Sequence, residues 1–470
     1  MIKFGTDGIR GIYGKDLTDE IAFLVGKALG LLKSNCKVLI ATDTRISGKK
    51  LKNAVCLGLI NNKAKVLDIG ISTTPSVAFL TAMLKCDFGV MITASHNSFE
   101  YNGIKVFNKQ GLKIDVQTQQ IIEQTINKEL NLINYEKIFI DNKYQLKNVK
   151  YARKHITKYI DFLKNQFKTT YFRNNVKIKL VVDCANGSSY QLAKDVFNQN
   201  FLEVVYINSY NNGKLINKDC GATSTQSLGK AVVLNKADFG FAFDGDADRF
   251  VAVNKKGENI DGDILLLIYG LFLKKQNLLN NNVVVGNKYT NKKLKEIFEK
   301  HKICLKVTGV GDALIMQLLN EKNYSLGGEN SGHYIFKKIL LAGDGILSAI
   351  IFLNCYVQNK KLLKKLLSTK LLHCQNIKVK IEKCIDENFV NNYENSEEFK
   401  SIYNKYEKTF KRTYYFLRKS GTEPVIRINV QGKKLKDVLL VTKLLEQSLL
   451  SFKKNRWIFH LLLFYINIVV

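Results

Sequence analysis

The chain has 470 residues, 46% of them apolar, with 72 Lys and Arg against 41 Asp and Glu for a formal charge of +31. That length exceeds one ordinary core and calls for three or four domains, which the apolar content can fill. A basic excess this large often signals nucleic-acid or membrane partners, but the basic residues are scattered rather than gathered on one face or tail, and no recognition helix or aromatic stacking motif accompanies them, so their distribution argues against a nucleic-acid-binding protein.

The N-terminus reads Phe4-Gly5-Thr6-Asp7-Gly8-Ile9-Arg10-Gly11 and shows no basic region followed by an apolar one; no secretory leader is expected, and the cytoplasm is the expected compartment. Apolar spacing predicts a helix from Thr18 to Lys33, with Thr18 as N-cap. Lys37–Ala41, Ala64–Ile69 and Phe88–Ile92 read as short buried strands alternating with helices. Thr93-Ala94-Ser95-His96-Asn97 follows the third, which puts Ser95 at a strand end, on a loop closed by Asn102-Gly103 that also holds Lys105. A serine so placed can act as nucleophile or carry a phosphate.

The strand–loop–helix rhythm restarts at Lys177–Asp183, which opens onto Cys184-Ala185-Asn186-Gly187-Ser188. The apolar run Phe239–Phe243 leads into Asp244-Gly245-Asp246-Ala247-Asp248-Arg249. Three carboxylates at alternate positions after a buried strand give a divalent cation its hard oxygen donors, and Arg249 adds a guanidinium for phosphate. A third unit begins at Asn282–Gly286 and includes the Gly309-Val310-Gly311-Asp312 turn. It continues to Gly327-Gly328-Glu329-Asn330-Ser331-Gly332-His333, whose carboxylate and imidazole suit sugar hydroxyls and proton movement.

The last quarter differs. Asn376–Ile381, Tyr414–Leu417 and Val425–Val430 are strand-like, Leu435–Leu450 is helical, and the polar helical stretch 384–412 offers no chemistry. Arg418-Lys419-Ser420-Gly421-Thr422-Glu423-Pro424, with Arg427 beyond, supplies guanidiniums, hydroxyls and a glycine-freed backbone for one anion. Trp457–Val470 is almost wholly apolar after Lys453, Lys454 and Arg456. It falls short of the roughly 20 residues a membrane span needs, so membrane contact by this tail is not expected. The nine Cys lack CxxC or His/Cys spacing, which suits buried thiols rather than zinc or disulfides. Of the six His, only His96 and His333 lie in motifs.

The expected fold is α/β, with three similar α/β domains with mixed sheets plus a C-terminal α+β domain. The expected domains are 1–150 with the Ser95 loop, 151–255 with the acidic loop, 256–368 with the sugar loop, and 369–452 with the anion cradle, followed by the tail 453–470.

In this order, the five motifs resemble the α-D-phosphohexomutase superfamily over roughly residues 1–450. The first and the Glu329–His333 segment are most similar to its branch acting on glucosamine phosphate. The resemblance implies an isomerase that interconverts glucosamine 6-phosphate and glucosamine 1-phosphate, upstream of UDP-N-acetylglucosamine and cell-wall synthesis. It implies four domains around a central cleft, one Mg²⁺ per subunit and a sugar 1,6-bisphosphate as activator and intermediate. Ser95 would be the phosphoserine and, with Asp244, Asp246 and Asp248, hold the metal. Arg249 would lie beside the metal loop, Arg10 and Lys105 beside the transferring phosphoryl group, and His96 would flank the serine. Glu329, Ser331 and His333 would face the sugar; Arg418, Ser420, Gly421, Thr422 and Arg427 would hold the phosphate that is not reacting. The general base is Lys105, if neighbouring cations lower its pKa, or His333. A small-molecule phosphosugar is the expected partner, and a dimer is left open.

Departures from the family pattern are Ser98 and Lys419 where prolines are usual, and Ala313 where an arginine follows Val-Gly-Asp. They raise a second reading, an enzyme that keeps the fold but has lost rate. Phosphoglucomutase or phosphomannomutase chemistry is the alternative within the superfamily, and a basic nucleic-acid-binding protein is the alternative outside it.

Overall fold

The structure is a computed structural model that describes residues 2–5, 7–172, 177–380, 388–420 and 425–469, with side chains as far as residue 453. The chain divides into two compact units, residues 1–287 with 306–368, and residues 288–305 with 369–470.

The first unit opens with a six-stranded mixed sheet. Its strands are β1 (Ile9–Ile12), β2 (Lys37–Thr42), β3 (Lys65–Ile71), β4 (Phe88–Ile92), β5 (Tyr101–Asn108) and β6 (Lys150–Tyr151), in the order β1-β5-β4-β2-β3-β6. β2, β3 and β4 are parallel, as crossover helices require, while β5 runs antiparallel to both β4 and β1. The first helix is Asp19–Leu32, and the Thr18 side chain caps it by accepting from the Ile21 N–H. Its core-facing side packs with the helix Gly48–Ile60 into one apolar cluster that includes Leu24, Val25, Val55 and Leu59.

The expectation that Asn102-Gly103 closes a loop, with Lys105 on that loop, is corrected. All three lie inside β5, with Gly103 opposite Arg10 of β1 and Lys105 opposite Met91 of β4. The turn ends at Glu100, before the Asn-Gly pair, because Asn102 and Gly103 continue the ladder to β1.

The second sheet contains β7 (Ile178–Asp183), β8 (Leu202–Ile207), β9 (Phe239–Phe243), β10 (Phe250–Asn254) and β11 (Asn259–Ile260), in the order β11-β10-β9-β7-β8. β9 is buried at all five positions, between parallel β7 and antiparallel β10. Its phenylalanines join a ring cluster in which Phe241 meets Phe250 at 5.1 Å and Phe352 at 5.8 Å. The third sheet has β12 (Val283–Asn287), β13 (Cys304–Thr308), β14 (Leu326–Gly328) and β15 (Tyr334–Phe336), in the order β13-β12-β14-β15.

The second unit contains β16 (His373–Lys380), β17 (Thr413–Lys419) and β18 (Val425–Gly432), an antiparallel sheet with β18 in the middle. The stretch 384–412 has a structural role in its described part: Phe389, Tyr393, Phe399 and Phe410 are buried in the same core as Ile426, Ile428 and Val441. The last helix runs Leu435–Val469, well past the expected Leu450, since no Gly or Pro interrupts it. Among the described residues no helix is long and apolar enough to cross a membrane.

One buried contact ties the third α/β domain to the start of the second. Asp344 caps the helix Gly345–Gln358 by accepting from the Leu347 N–H, and it also accepts from the Tyr159 hydroxyl at 2.6 Å. Removing that carboxyl loses a cap and orphans a buried hydroxyl, so Asp344→Ala should lower stability by about 2–4 kcal/mol. Asp344→Asn, which keeps an acceptor oxygen, should lose less. Urea unfolding followed through its first transition checks this order.

Candidate active site

The Ser95 backbone sits in the left-handed region, φ +52°, which costs a non-glycine residue about 1–2 kcal/mol. The surroundings over-determine it. The Ser95 N–H donates to Thr93 Oγ1 at 2.9 Å, and the Ser95 carbonyl accepts from Arg45 at 3.0 Å and Asn217 at 2.8 Å. The hydroxyl donates to Asp244 Oδ2 at 2.6 Å, across 149 residues of sequence. The loop after β4 and the loop after β9 therefore meet. Gly245 makes the approach possible: a Cβ there would lie 2.6 Å from the Ser95 carbonyl oxygen.

Asp244, Asp246 and Asp248 are buried, and one oxygen from each lies within 4.8 Å of the others. Burial first, then the charges of Asp248 and Asp246, push the Asp244 carboxyl up to about 8. Asp246 Oδ1 and Asp248 Oδ1 are buried without a hydrogen-bond partner. Two orphaned carboxylate oxygens beside a third acid fit a hard divalent cation, and the all-oxygen donor set favours magnesium, calcium or manganese over zinc.

Lys105 is almost fully buried in β5, with its ammonium 2.8 Å from Asp246, 3.0 Å from Asp248 and 3.0 Å from Asp7. Burial alone would lower its pKa, but these carboxylates outweigh burial and hold it well above the ordinary lysine value. The condition that neighbouring cations lower the Lys105 pKa is thus not met in this arrangement, because the groups that face it are mainly acids.

The contacts continue into a closed ring of alternating charge. Asp7 meets Lys105 at 3.0 Å and Lys113 at 2.8 Å; Lys113 meets Asp312 at 2.7 Å; Asp312 is 3.4 Å from His333 Nε2; and His333 Nδ1 is 3.8 Å from Asp248, which returns to Lys105. Burial opposes a charge on His333, but Asp312 and Asp248 raise it to about 9, so the imidazole is protonated near neutral pH.

The remaining expected residues are distributed as follows. Arg10 ion-pairs with Asp7 and reaches Asn97 Oδ1 at 3.4 Å. Arg249 lies beside the acidic loop, its N–H donating to Asp244 Oδ1 at 3.2 Å and its Nε 3.9 Å from Asp244 Oδ2. His96 is pushed down to about 2, by the Arg249 charge first and burial second, so it stays neutral. Glu329 Oε1 accepts from Asn287 at 2.6 Å and the Gly311 N–H at 3.1 Å, while the exposed Ser331 donates to Oε2 at 3.2 Å.

In the second unit Arg418 and Arg427 are opposite each other on β17 and β18. Arg418 Nε donates to the Tyr289 hydroxyl at 3.2 Å, and Ser420 is buried with its N–H on the Val425 carbonyl. Gly421 and Thr422 lie outside the described residues.

Sequence reasoning gave no role to Asp7, Lys113, Asp312, Thr74, Asn217 or Arg45. Thr74 Oγ1 donates to Asp246 at 2.5 Å. The signal for Arg45 was present: Asp43-Thr44-Arg45 follows the buried strand β2, and charge next to an apolar strand end marks a loop that faces the others.

Comparison with known proteins agrees with this geometry. The phosphoglucomutase/phosphomannomutase α/β/α domains I, II and III match residues 1–132, 157–257 and 261–372. A phosphoglucosamine mutase of Alkaliphilus oremlandii is 39% identical over 460 residues, covering 95% of this chain and 99% of that protein. One from Clostridioides difficile is 37% identical over 435 residues, covering 92% and 94%. The fold is shared with a phosphoglucomutase/phosphomannomutase family protein of Burkholderia thailandensis, with TM-score 0.75, 20% identity and coverage of 96% and 98%. It is also shared with the Aspergillus fumigatus N-acetylphosphoglucosamine mutase, solved with GlcNAc-6P and magnesium, with TM-score 0.61, 16% identity and coverage of 97% and 96%. With its three α/β domains in order and relatives of this identity along nearly its whole length, the chain belongs to the phosphoglucosamine mutase family of phosphohexomutases.

Proposed function

We propose that the chain interconverts glucosamine 6-phosphate and glucosamine 1-phosphate through a phosphoryl group carried on Ser95 and a sugar 1,6-bisphosphate. The observation that carries this reading is the buried Ser95 hydroxyl, 2.6 Å from an acidic loop that Lys105 also faces. Asp244, Asp246 and Asp248 would hold a divalent cation, taken as Mg²⁺, which supplies a Lewis acid beside the serine oxygen.

Phosphoryl transfer asks for positioning and positive charge around the equatorial oxygens. Lys105, Arg10 and Arg249, which contact the acidic loop or the segment after Ser95, supply that charge. A sugar hydroxyl attacks phosphorus, the bond to Ser95 Oγ breaks, and the hydroxyl proton leaves to a base. Lys105 and His333 are the two candidate bases: the acids that face them hold both protonated in this arrangement, and a cation held by Asp246 and Asp248 would weaken that hold, so that one of the two takes the sugar's proton. Glu329, fixed by Asn287 and Gly311, offers its carboxylate to sugar hydroxyls, with Ser331 beside it. Arg418, Ser420 and Arg427, with Gly421 and Thr422, are assigned to the second phosphate. The bisphosphate must turn over between half-reactions, so each end meets Ser95 once.

Purified protein given glucosamine 6-phosphate, Mg²⁺ and a trace of hexose 1,6-bisphosphate should form glucosamine 1-phosphate. Intact mass should show one added phosphate, mapped to Ser95 and lost on incubation with substrate. Absence of both product and phosphate would refute the reading, and Ser95→Ala should abolish turnover. A kcat/KM that favours glucose or mannose phosphates over glucosamine phosphates would move the chain to the alternative branch, while near-normal turnover removes the decayed-enzyme reading.

Chelation should abolish turnover, and added Mg²⁺ should restore it. Lys105→Met should lower kcat by about 10²–10³-fold, the usual effect of removing one preorganised charge donor, with a smaller change in KM. Steady-state kinetics on protein whose folding is checked by circular dichroism test this.

A further inference from the structure

Arg45 lies outside the acidic loop, the sugar loop and the anion cradle, yet it is among the most heavily bonded side chains in the first unit. It is buried, and Nε is paired with Asp43 at 2.9 Å, both side chains fully enclosed. Its NH1 donates to the carbonyls of Ser98 and, at 2.8 Å, Tyr101. NH2 donates to the carbonyls of Ser95 at 3.0 Å and Asn97 at 2.7 Å. One planar guanidinium thus holds four carbonyls of the segment 95–101. Asp43 in turn accepts from Thr93 Oγ1 at 2.7 Å, and Thr93 Oγ1 accepts from the Ser95 N–H.

Ser95 has a left-handed backbone that a non-glycine residue adopts only under constraint, and the segment after it has Ser98 where a proline ring would restrict the chain. We infer that Arg45 is a positioning residue for phosphoryl transfer: it fixes the curl of the 95–101 segment and thereby aims the Ser95 oxygen at the acidic loop. Asn217 shares the work, donating to the Ser95 and Asn97 carbonyls at 2.8 and 3.0 Å from the neighbouring domain. Arg45 itself touches neither the carboxylates of the acidic loop nor the Ser95 hydroxyl, so it acts through the loop. A lysine keeps the charge for Asp43 but cannot spread donors over four carbonyls in one plane.

The inference rests on the proposed mutase activity, and the test separates the two. Wild type is assayed first; no turnover there fails the activity, not the role of Arg45. With wild type active, Arg45→Lys is expected to lose on the order of 10²-fold in kcat, the scale of a misplacement of about 1 Å. Its KM should stay within a few-fold, and Ser95 should be phosphorylated by hexose 1,6-bisphosphate correspondingly more slowly. Thr44→Val is the control. It removes a buried hydrogen bond to the Asn186 carbonyl, 2.6 Å in the wild type, from the adjacent residue, and leaves the 95–101 carbonyls untouched. A folded Arg45→Lys with wild-type kcat overturns the inference. So does a loss no greater than that of Thr44→Val once the two are compared at equal distance below their unfolding midpoints. Should Arg45→Lys not fold, Asn217→Leu, which removes the other donors to the same carbonyls, is expected to give the same split between kcat and KM; unchanged kcat there overturns it equally.

Discussion

Three carboxylates enclosed within one short loop repel one another and cannot all stay ionised in a dry interior without nearby positive charge. Much of the architecture around Asp244, Asp246 and Asp248 answers that constraint. Lys105 is carried in on a strand of another domain, Thr74 donates a hydroxyl from that same domain, and His333 arrives from the third sheet. Asp246 Oδ1 and Asp248 Oδ1, the second facing His333 only at 3.8 Å, are still left without a hydrogen bond, which is what separates a metal-ready loop from a merely neutralised one. A serine hydroxyl pinned against the same loop then shares its surroundings with a cation site and with the fixed cations that face that loop.

The α/β rhythm explains how such distant residues converge. Parallel strands release their loops at the same edge of the sheet, and the functional segments after β2, β4, β9 and β14 all begin at strand C-terminal ends. Small residues set how near the loops come. Gly245 lets the acidic turn touch the Ser95 carbonyl, and the Ala247 N–H closes that turn on the Asp244 carbonyl at 3.0 Å. The fit is a backbone property, in which side-chain chemistry depends on main chains that pass at van der Waals distance.

The sequence makes the strands legible because their apolar runs are uninterrupted: Phe88–Ile92 and Phe239–Phe243 coincide with the observed strands, and Thr18 is the observed cap. Ser95 and the aspartates are legible because motif and strand end coincide. The partners that orient them are not. Lys113 and Asn217 are ordinary polar residues in sequence, and their importance comes from which carbonyl or carboxylate the fold brings to them. Lys105 shows the same limit from another side. Its identity could be read, but its charge state could not, because that depends on Asp7, Asp246 and Asp248 meeting it from two domains. The Asn102-Gly103 pair looked like a turn, since local propensity favours one there, but pairing with β1 overrode it.

The ring of Asp7, Lys105, Asp248, His333, Asp312 and Lys113 has an even number of members and no net charge when the imidazole is protonated. Reversing a single sign in such a circuit sets that residue against a like charge on both sides with little water to screen them, and reversing an adjacent couple only moves the clash to its two outer neighbours. The same parity governs visitors: a doubly positive ion and a doubly negative ester oxygen cluster arrive most cheaply as a matched set, leaving the electrical balance of the enclosure as it was.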